Sequence, residues 1–160
     1  MTSNDTLTAD AVLTAAALVA GLQAGTYFTW ATGVMPGLAR ADDRTFVEAM
    51  QRVNVAIVNP VFISTFLGAP VLAAAAAVVA DDRVRPWAIA GAVLAAATVV
   101  ITGAGNIPLN NALAAAGPVA RIADLASVRK AFESRWVRLN FARSVTSAAA
   151  LGCLAWAAGR

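Results

Sequence analysis

The sequence contains no histidine and a single cysteine, Cys153. Zinc, haem and non-haem iron sites built on imidazole or paired thiolates are therefore excluded. One cysteine also excludes a secreted disulfide scaffold. Charge is scarce as well. Charged residues make up 13% of the chain, about half of what a soluble domain carries. The 12 basic and 9 acidic side chains cannot cover the surface of a 160-residue particle in water. A net charge of +3 is a small excess for so apolar a chain and argues against a nucleic-acid module. Residues 1–10 hold Asp5 and Asp10 but no Lys or Arg, so the basic head of a cleavable signal is missing.

What fills the sequence is apolar. Hydrophobic residues reach 59%, with a mean hydropathy of +0.69. The length is that of one domain, expected here to be a single transmembrane domain over residues 1–160. A helix needs roughly 20 apolar residues to cross a bilayer. Four stretches qualify, at about 11–34, 58–80, 86–102 and 139–158. Ala, Leu and Val dominate them without the alternation of a barrel, so a backbone closed on itself in lipid means helices. The expected fold is an all-α integral membrane four-helix bundle.

The two long loops have helical patterns of their own. Apolar residues fall at 46, 50, 53 and 57, with Glu48 and Arg52 as an i,i+4 pair on the opposite, solvated face. Short amphipathic helices are predicted at 42–57 and at 108–116, the second with Pro108 in its first turn and Gly117-Pro118 after its end. A further helix is predicted from about 118 into the fourth span. Arg40, Arg44 and Arg52 follow the first span. Arg121, Arg129, Lys130, Arg135, Arg138 and Arg143 precede or open the fourth, and only Arg83, Arg85 and Arg160 lie on the other side. The positive-inside rule then places both long loops in the cytoplasm and both termini outside it, with the plasma membrane as the expected location.

Polar residues at membrane depth carry the functional information, because each is costly unless paired or wetted. At 100° per residue, Gln23, Thr26, Tyr27 and Trp30 share one stripe of the first span. Asn54 interrupts the apolar stripe of the 42–57 helix. Asn59 opens the second span, while Asn106, Asn110 and Asn111 close the third. Trp136, Asn140, Arg143 and Ser147 share a face of the fourth. The topology gathers these at the cytoplasmic end and leaves Ala, Val and Leu in the opposite half. A pocket near the cytoplasmic interface is expected, walled by aromatics and lined by amides and one guanidinium. Plainer roles compete at several positions. Trp87 and Trp156 suit interface anchors, and Asn59 before Pro60 and Asn106 before Pro108 suit helix caps. Gly21 and Gly25 suit close helix packing. Arg143 has the choice of snorkelling to headgroups or joining an inward network. Cys153 reads as a small packing residue.

Four strings occur in order between about residues 21 and 145: GLQAGTYFTWATGVMPGL, FVEAMQRVNVAIVNPVFISTFLGAP, GNIPLNNAL and WVRLNFARSV. They resemble the anthrone oxygenase family of small four-helix membrane proteins, which includes fungal noranthrone monooxygenases and many bacterial members of unknown function. The resemblance implies oxidation of an anthrone to an anthraquinone with O2, with no cofactor and no metal. It points to Trp30, Met35, Pro36, Met50, Asn54, Asn59, Pro60, Asn106, Pro108, Leu109, Asn110, Trp136, Asn140 and Arg143. Within it, Asn54, Asn106, Asn140 and Arg143 would stabilise the enolate oxygen. Tyr27, Trp30, Asn59, Phe62, Asn110 and Trp136 would contact the substrate. The implied partners are an apolar aromatic small molecule and O2, with membrane lipid around the protein and no nucleic acid; homo-oligomer formation stays open.

One departure concerns the base. Many members carry a His between the Asn and Arg of the last motif, where this chain has Phe141. Without it, the remaining candidates are water at the pocket mouth or Glu48. A non-enzymatic alternative fits the same residues: a membrane protein that binds a lipid, a quinone or another apolar small molecule.

Overall fold

A computed structural model of the chain describes residues 3–160, with side chains from residue 7 onward. The reading of residues 1–10 as no leader thus falls partly outside the described residues. The chain forms α1 (Ser3–Thr29), a π turn (Trp30–Val34), α2 (Met35–Leu38), α3 (Asp43–Ala56), α4 (Pro60–Val79) and α5 (Arg85–Ile101). A second π turn (Thr102–Asn106), α6 (Ile107–Ala115), a 3-10 turn (Val119–Arg121) and α7 (Leu125–Ala158) complete it, with no strand among the described residues. Four helical rods are long and apolar enough to cross a membrane: Leu7–Leu38, Pro60–Val79, Arg85–Ala115 and Leu125–Ala158. They form a ring in which α1 and α5 each pack on both α4 and α7. The fold is the expected all-α membrane bundle.

Its exterior explains the composition. Leu18, Leu22, Phe28, Val71, Val78, Val93, Val100 and Val145 are all exposed on the rods. In water such a surface would drive aggregation; in lipid it is solvated.

The interior holds two cores. One is built of small residues, among them Ala16, Ala20, Ala73, Ala76 and Ala88, with Leu13 and Leu154 as its large members. Small side chains let membrane helices approach closely. The closest approach is at Gly91, where a Cβ would lie 2.7 Å from Cγ of Leu154. The expected packing role of Gly21 and Gly25 is not seen. A Cβ on Gly21 would make ordinary contact with Leu151 at 3.7 Å, and one on Gly25 would meet nothing within 4 Å. Gln23 and Tyr27 set the buried face of α1, and that phase turns Gly25 outward.

The second core joins Met35, Phe46, Val47, Met50, Leu113, Val119, Phe132 and Trp136. Here α3 lies across α6 and the first turns of α7. Asp42 caps α3 by accepting from the Thr45 N–H at 2.9 Å. Glu48 and Arg52 pair on its outer face, as their spacing requires. Gln51 donates to the carbonyls of Leu113 and Gly117 at 2.9 and 3.0 Å. One α3 side chain thereby satisfies carbonyls that the end of α6 leaves open. Gly117, with φ of 85°, makes the turn that follows.

Two boundaries differ from the sequence pattern. The helix at 108–116 exists as α6, but it continues the third span through the π turn rather than standing apart in a loop. The last helix does not start near 118. A 3-10 turn and extended residues intervene, and α7 begins where Asp124 accepts from the Ser127 N–H at 3.0 Å.

Candidate functional site: a cavity framed by two wide turns

Two π turns stand at the same end of the bundle. In each, an N–H reaches back five residues: Met35 to the Trp30 carbonyl, and Ile107 to the Thr102 carbonyl. The next residue is a proline both times, Pro36 and Pro108. Proline has no N–H, and its ring crowds the carbonyl four residues back. Widening the turn by one residue relieves that clash, and such bulges are frequent at functional sites. Trp30 to Pro36 and Thr102 to Pro108 have equal spacing, a sequence feature that the hydropathy pattern does not reveal.

Between them lies a cavity lined by α1, α3, α4, α6, α7 and the two π turns. Water centres have about 140 Å³ available in it, and the whole space including the mouth is about 740 Å³. Its apolar lining is Val53, Ile57, Val58, Phe62, Ile63, Phe66 and Ile107. Its polar and aromatic lining is Thr26, Tyr27, Trp30, Asn54, Thr102, Asn110, Trp136, Asn140 and Arg143. Eight of the ten residues singled out from sequence therefore line one space. Thr102, Ile63 and Phe66 join them unannounced, since nothing in their spacing marked them.

The other two do not reach it. Asn59 accepts from the Phe62 N–H at 3.0 Å and donates to the Ala56 carbonyl at 2.9 Å. It is an exposed helix cap next to Phe62 and does not line the cavity. Asn106 is 1% exposed with both amide atoms unpartnered, yet it is not on the cavity wall. A straight helix would carry positions 102, 106 and 110 along one face. The wide turn between 102 and 106 breaks that alignment and leaves Thr102 and Asn110 on the wall.

Arg143 is the centre of the polar wall, at 6% exposure. Its Nη2 donates to Asn140 Oδ1 at 2.9 Å, and Asn140 Nδ2 donates to the Tyr27 carbonyl at 3.1 Å. The guanidinium lies 4.5 Å from the Tyr27 ring centre and 5.3 Å from the Trp136 ring centre. Trp136 in turn donates through Nε1 to Asn110 Oδ1 at 3.0 Å and packs 5.3 Å from Trp30. Snorkelling is thus replaced by an inward network. Ser144 and Ser147 share the face of Arg143 but donate to carbonyls of their own helix, Asn140 and Arg143. The ion pairs among the described residues join Arg52 to Glu48, Arg85 to Asp82, and Arg129 to Asp43 and Glu133. None neutralises Arg143. Its Nε, the Tyr27 hydroxyl and Asn54 Nδ2 are buried without a hydrogen-bond partner.

Phe141 is 63% exposed on the outer face of α7. A His at this position would face away from the cavity, so its absence removes no group from the wall. Glu48 is engaged with Arg52 and does not line the cavity either. At the opposite end of the bundle, Trp87 and Trp156 pack 6.0 Å apart, both half-exposed, with Arg160 over the Trp156 ring at 4.1 Å. That arrangement fits interface anchors.

The site is therefore a cavity with a mixed lining of apolar and hydrogen-bonding side chains around a single cation that no ion pair among the described residues neutralises. It can hold a flat, largely apolar molecule and stabilise negative charge on its edge. Neither a curated protein nor a solved structure matches the chain. The sequence profile described as anthrone oxygenase matches residues 50–153. The matched segment carries the cavity residues of α3, α4, α6 and α7, and on that match the chain belongs to the anthrone oxygenase family.

Proposed function

We propose that the chain is a membrane-bound, cofactor-independent monooxygenase that oxidises an anthrone-type aromatic polyketide with O2 to a quinone. The observation that carries this reading is Arg143, buried and without an ion-pair partner among the described residues, on the wall of a cavity that is also lined by apolar and aromatic side chains. A lone guanidinium at membrane depth costs roughly 2.5–3.5 kcal/mol on insertion scales. An anionic intermediate in the cavity would offset that cost at the moment it forms. An anthrone has an activated CH2. Loss of one proton gives an electron-rich aromatic enolate, which passes an electron to O2. The two radicals join as a hydroperoxide anion, which takes up a proton and loses water to leave a carbonyl. The balance is CH2 plus O2 to C=O plus H2O. Arg143 and Asn54 supply donors to the enolate oxygen, where fixed donors act most strongly in a dry site. Trp30, Phe62 and Trp136 supply flat contact. The proton from CH2 leaves through water at the mouth.

Loop charge supports a cytoplasmic position for the cavity end, with both termini on the other side of the plasma membrane. The mouth is rimmed by exposed Val58, Ile63 and Ile107, which suits an apolar substrate arriving from the bilayer.

One observation favours a second reading. No carboxylate or imidazole lines the cavity, which suits a protein that holds a quinone, lipid or similar apolar molecule without converting it. Incubating the purified protein with a simple anthrone, with and without air, separates the two. An oxygenase gives air-dependent quinone formation well above the protein-free rate. A binding protein gives ligand retention and no added conversion.

A further inference from the structure

We infer that the Tyr27 hydroxyl is the hydrogen-bond donor that meets the substrate's carbonyl oxygen, and that its ring is not a flat substrate contact. The inference rests on the proposed oxygenase reading of the cavity and adds a catalytic residue to it.

Tyr27 is the only tyrosine in the chain. It is 2% exposed on the cavity wall, and its hydroxyl has no hydrogen-bond partner. Thr102 and Arg143 are the side chains that act on that hydroxyl, neither in hydrogen-bond geometry with it. Arg143 has donors only, so it cannot take the phenolic proton. Thr102 gives its own proton to the Thr98 carbonyl at 2.8 Å and stands outside bonding geometry toward Tyr27. A buried O–H with no acceptor is destabilising. A ligand oxygen in the cavity would remove that cost.

The ring is already occupied. The Arg143 guanidinium covers it at 4.5 Å, which takes up one π face and draws electron density from the phenol. Both effects favour the hydroxyl as a donor. The other elements bring nothing that competes. Apart from Tyr27, Arg143 is the only titratable side chain on the cavity wall, and α3, α4 and α6 contribute none. The Tyr27 proton therefore lies beside one guanidinium with no acceptor among the described residues in bonding geometry, as a donor to a developing oxyanion should. As CH2 loses its proton, charge grows on the carbonyl oxygen and this hydrogen bond strengthens. Interactions that tighten only toward the transition state raise turnover rather than ground-state affinity. No bond to tyrosine forms or breaks; its proton stays on the phenol oxygen.

The test uses the full chain in detergent. Tyr27→Phe keeps the ring under Arg143 and deletes only the hydroxyl. Its kcat should fall about 10²- to 10³-fold, the size expected for one oxyanion donor, with KM within about threefold. Because the chain has one tyrosine, growth with 3-fluorotyrosine labels position 27 alone. Its fluorine resonance should move when a stable dihydroxyanthraquinone binds and move far less with anthracene, which has no oxygen. Quenching of Trp fluorescence by each ligand verifies occupancy. Wild-type turnover by Tyr27→Phe would overturn the inference, as would an unmoved resonance with the anthraquinone bound. If the wild type turns nothing over, a moving resonance still supports the donor and only the oxygenase reading falls; an unmoved one ends both.

Discussion

At the residue scale, Arg143 is the one cationic side chain on the cavity wall among the described residues. It is held by Asn140 and by two aromatic rings, and no carboxylate among the described residues answers its charge. Arg143→Leu should therefore abolish anthrone conversion yet leave thermal stability in detergent unchanged or higher, because it deletes the buried charge itself. Arg143→Lys should fold and lose about 10²-fold in turnover, since a lysine keeps the charge but not the planar fork of donors. Free substitution by Lys would mean that only the charge matters. The polar wall was legible in the sequence because amides and a guanidinium at membrane depth stand out against Ala, Leu and Val. Asn59 and Asn106 were not separable from it, since both precede a Pro-opened helix and helical phase alone cannot tell a cap or a packed amide from a wall residue. Tyr27 was legible on its stripe, but that its hydroxyl is buried without a partner and its ring lies under Arg143 was not.

Four crossing helices and α3 were legible at the scale of elements, because runs of apolar residues and a 3.6-residue period announce them. The π turns were not, because a wide turn leaves no trace in hydropathy; only the repeated spacing of each proline marks it. Helix contacts were equally hidden. Gly21 and Gly25 have the small-xxx-small spacing, yet the close approach is at Gly91. Gly91→Ala should lower stability by about 1–3 kcal/mol, less up to about 1 kcal/mol of helix propensity. Gly25→Ala meets nothing within 4 Å and should be neutral or stabilising; comparing the two melting temperatures checks the contact. The caps set the acid limb. The Thr45 N–H and then the Thr45 hydroxyl hold the Asp42 carboxyl below the usual carboxylate range, and the Ser127 N–H and hydroxyl do the same for Asp124. A lowered folded-state value stabilises above the ordinary range and is lost as pH falls through it. Helix content near α3 and α7 should thus fray from about pH 5 downward. In an Asp42→Asn, Asp124→Asn double variant, whose amides cap without a charge, that slope should flatten. Circular dichroism against pH reads both proteins; parallel curves would contradict this role for the caps.

The molecule as a whole divides its labour between two ends. Alanine-rich packing binds the rods together in one half. In the other, α3, the two π turns and the start of α7 hold the helices around a cavity with one charged wall. That division follows from the sequence, where polar residues cluster at one end of every span. The shape of the cavity does not, because it depends on where the wide turns release the helical phase. In the proposed reaction this cavity passes substrate electrons to O2, and one oxygen atom stays in the product. Incubation of the purified protein with an anthrone under isotopically heavy O2 in ordinary water tests it most directly, read by mass spectrometry of the quinone. One heavy oxygen per quinone is expected, formed at a rate well above protein-free detergent and absent in Arg143→Leu. Conversion no faster than in detergent alone, or equal labelling and rate in Arg143→Leu, would contradict it.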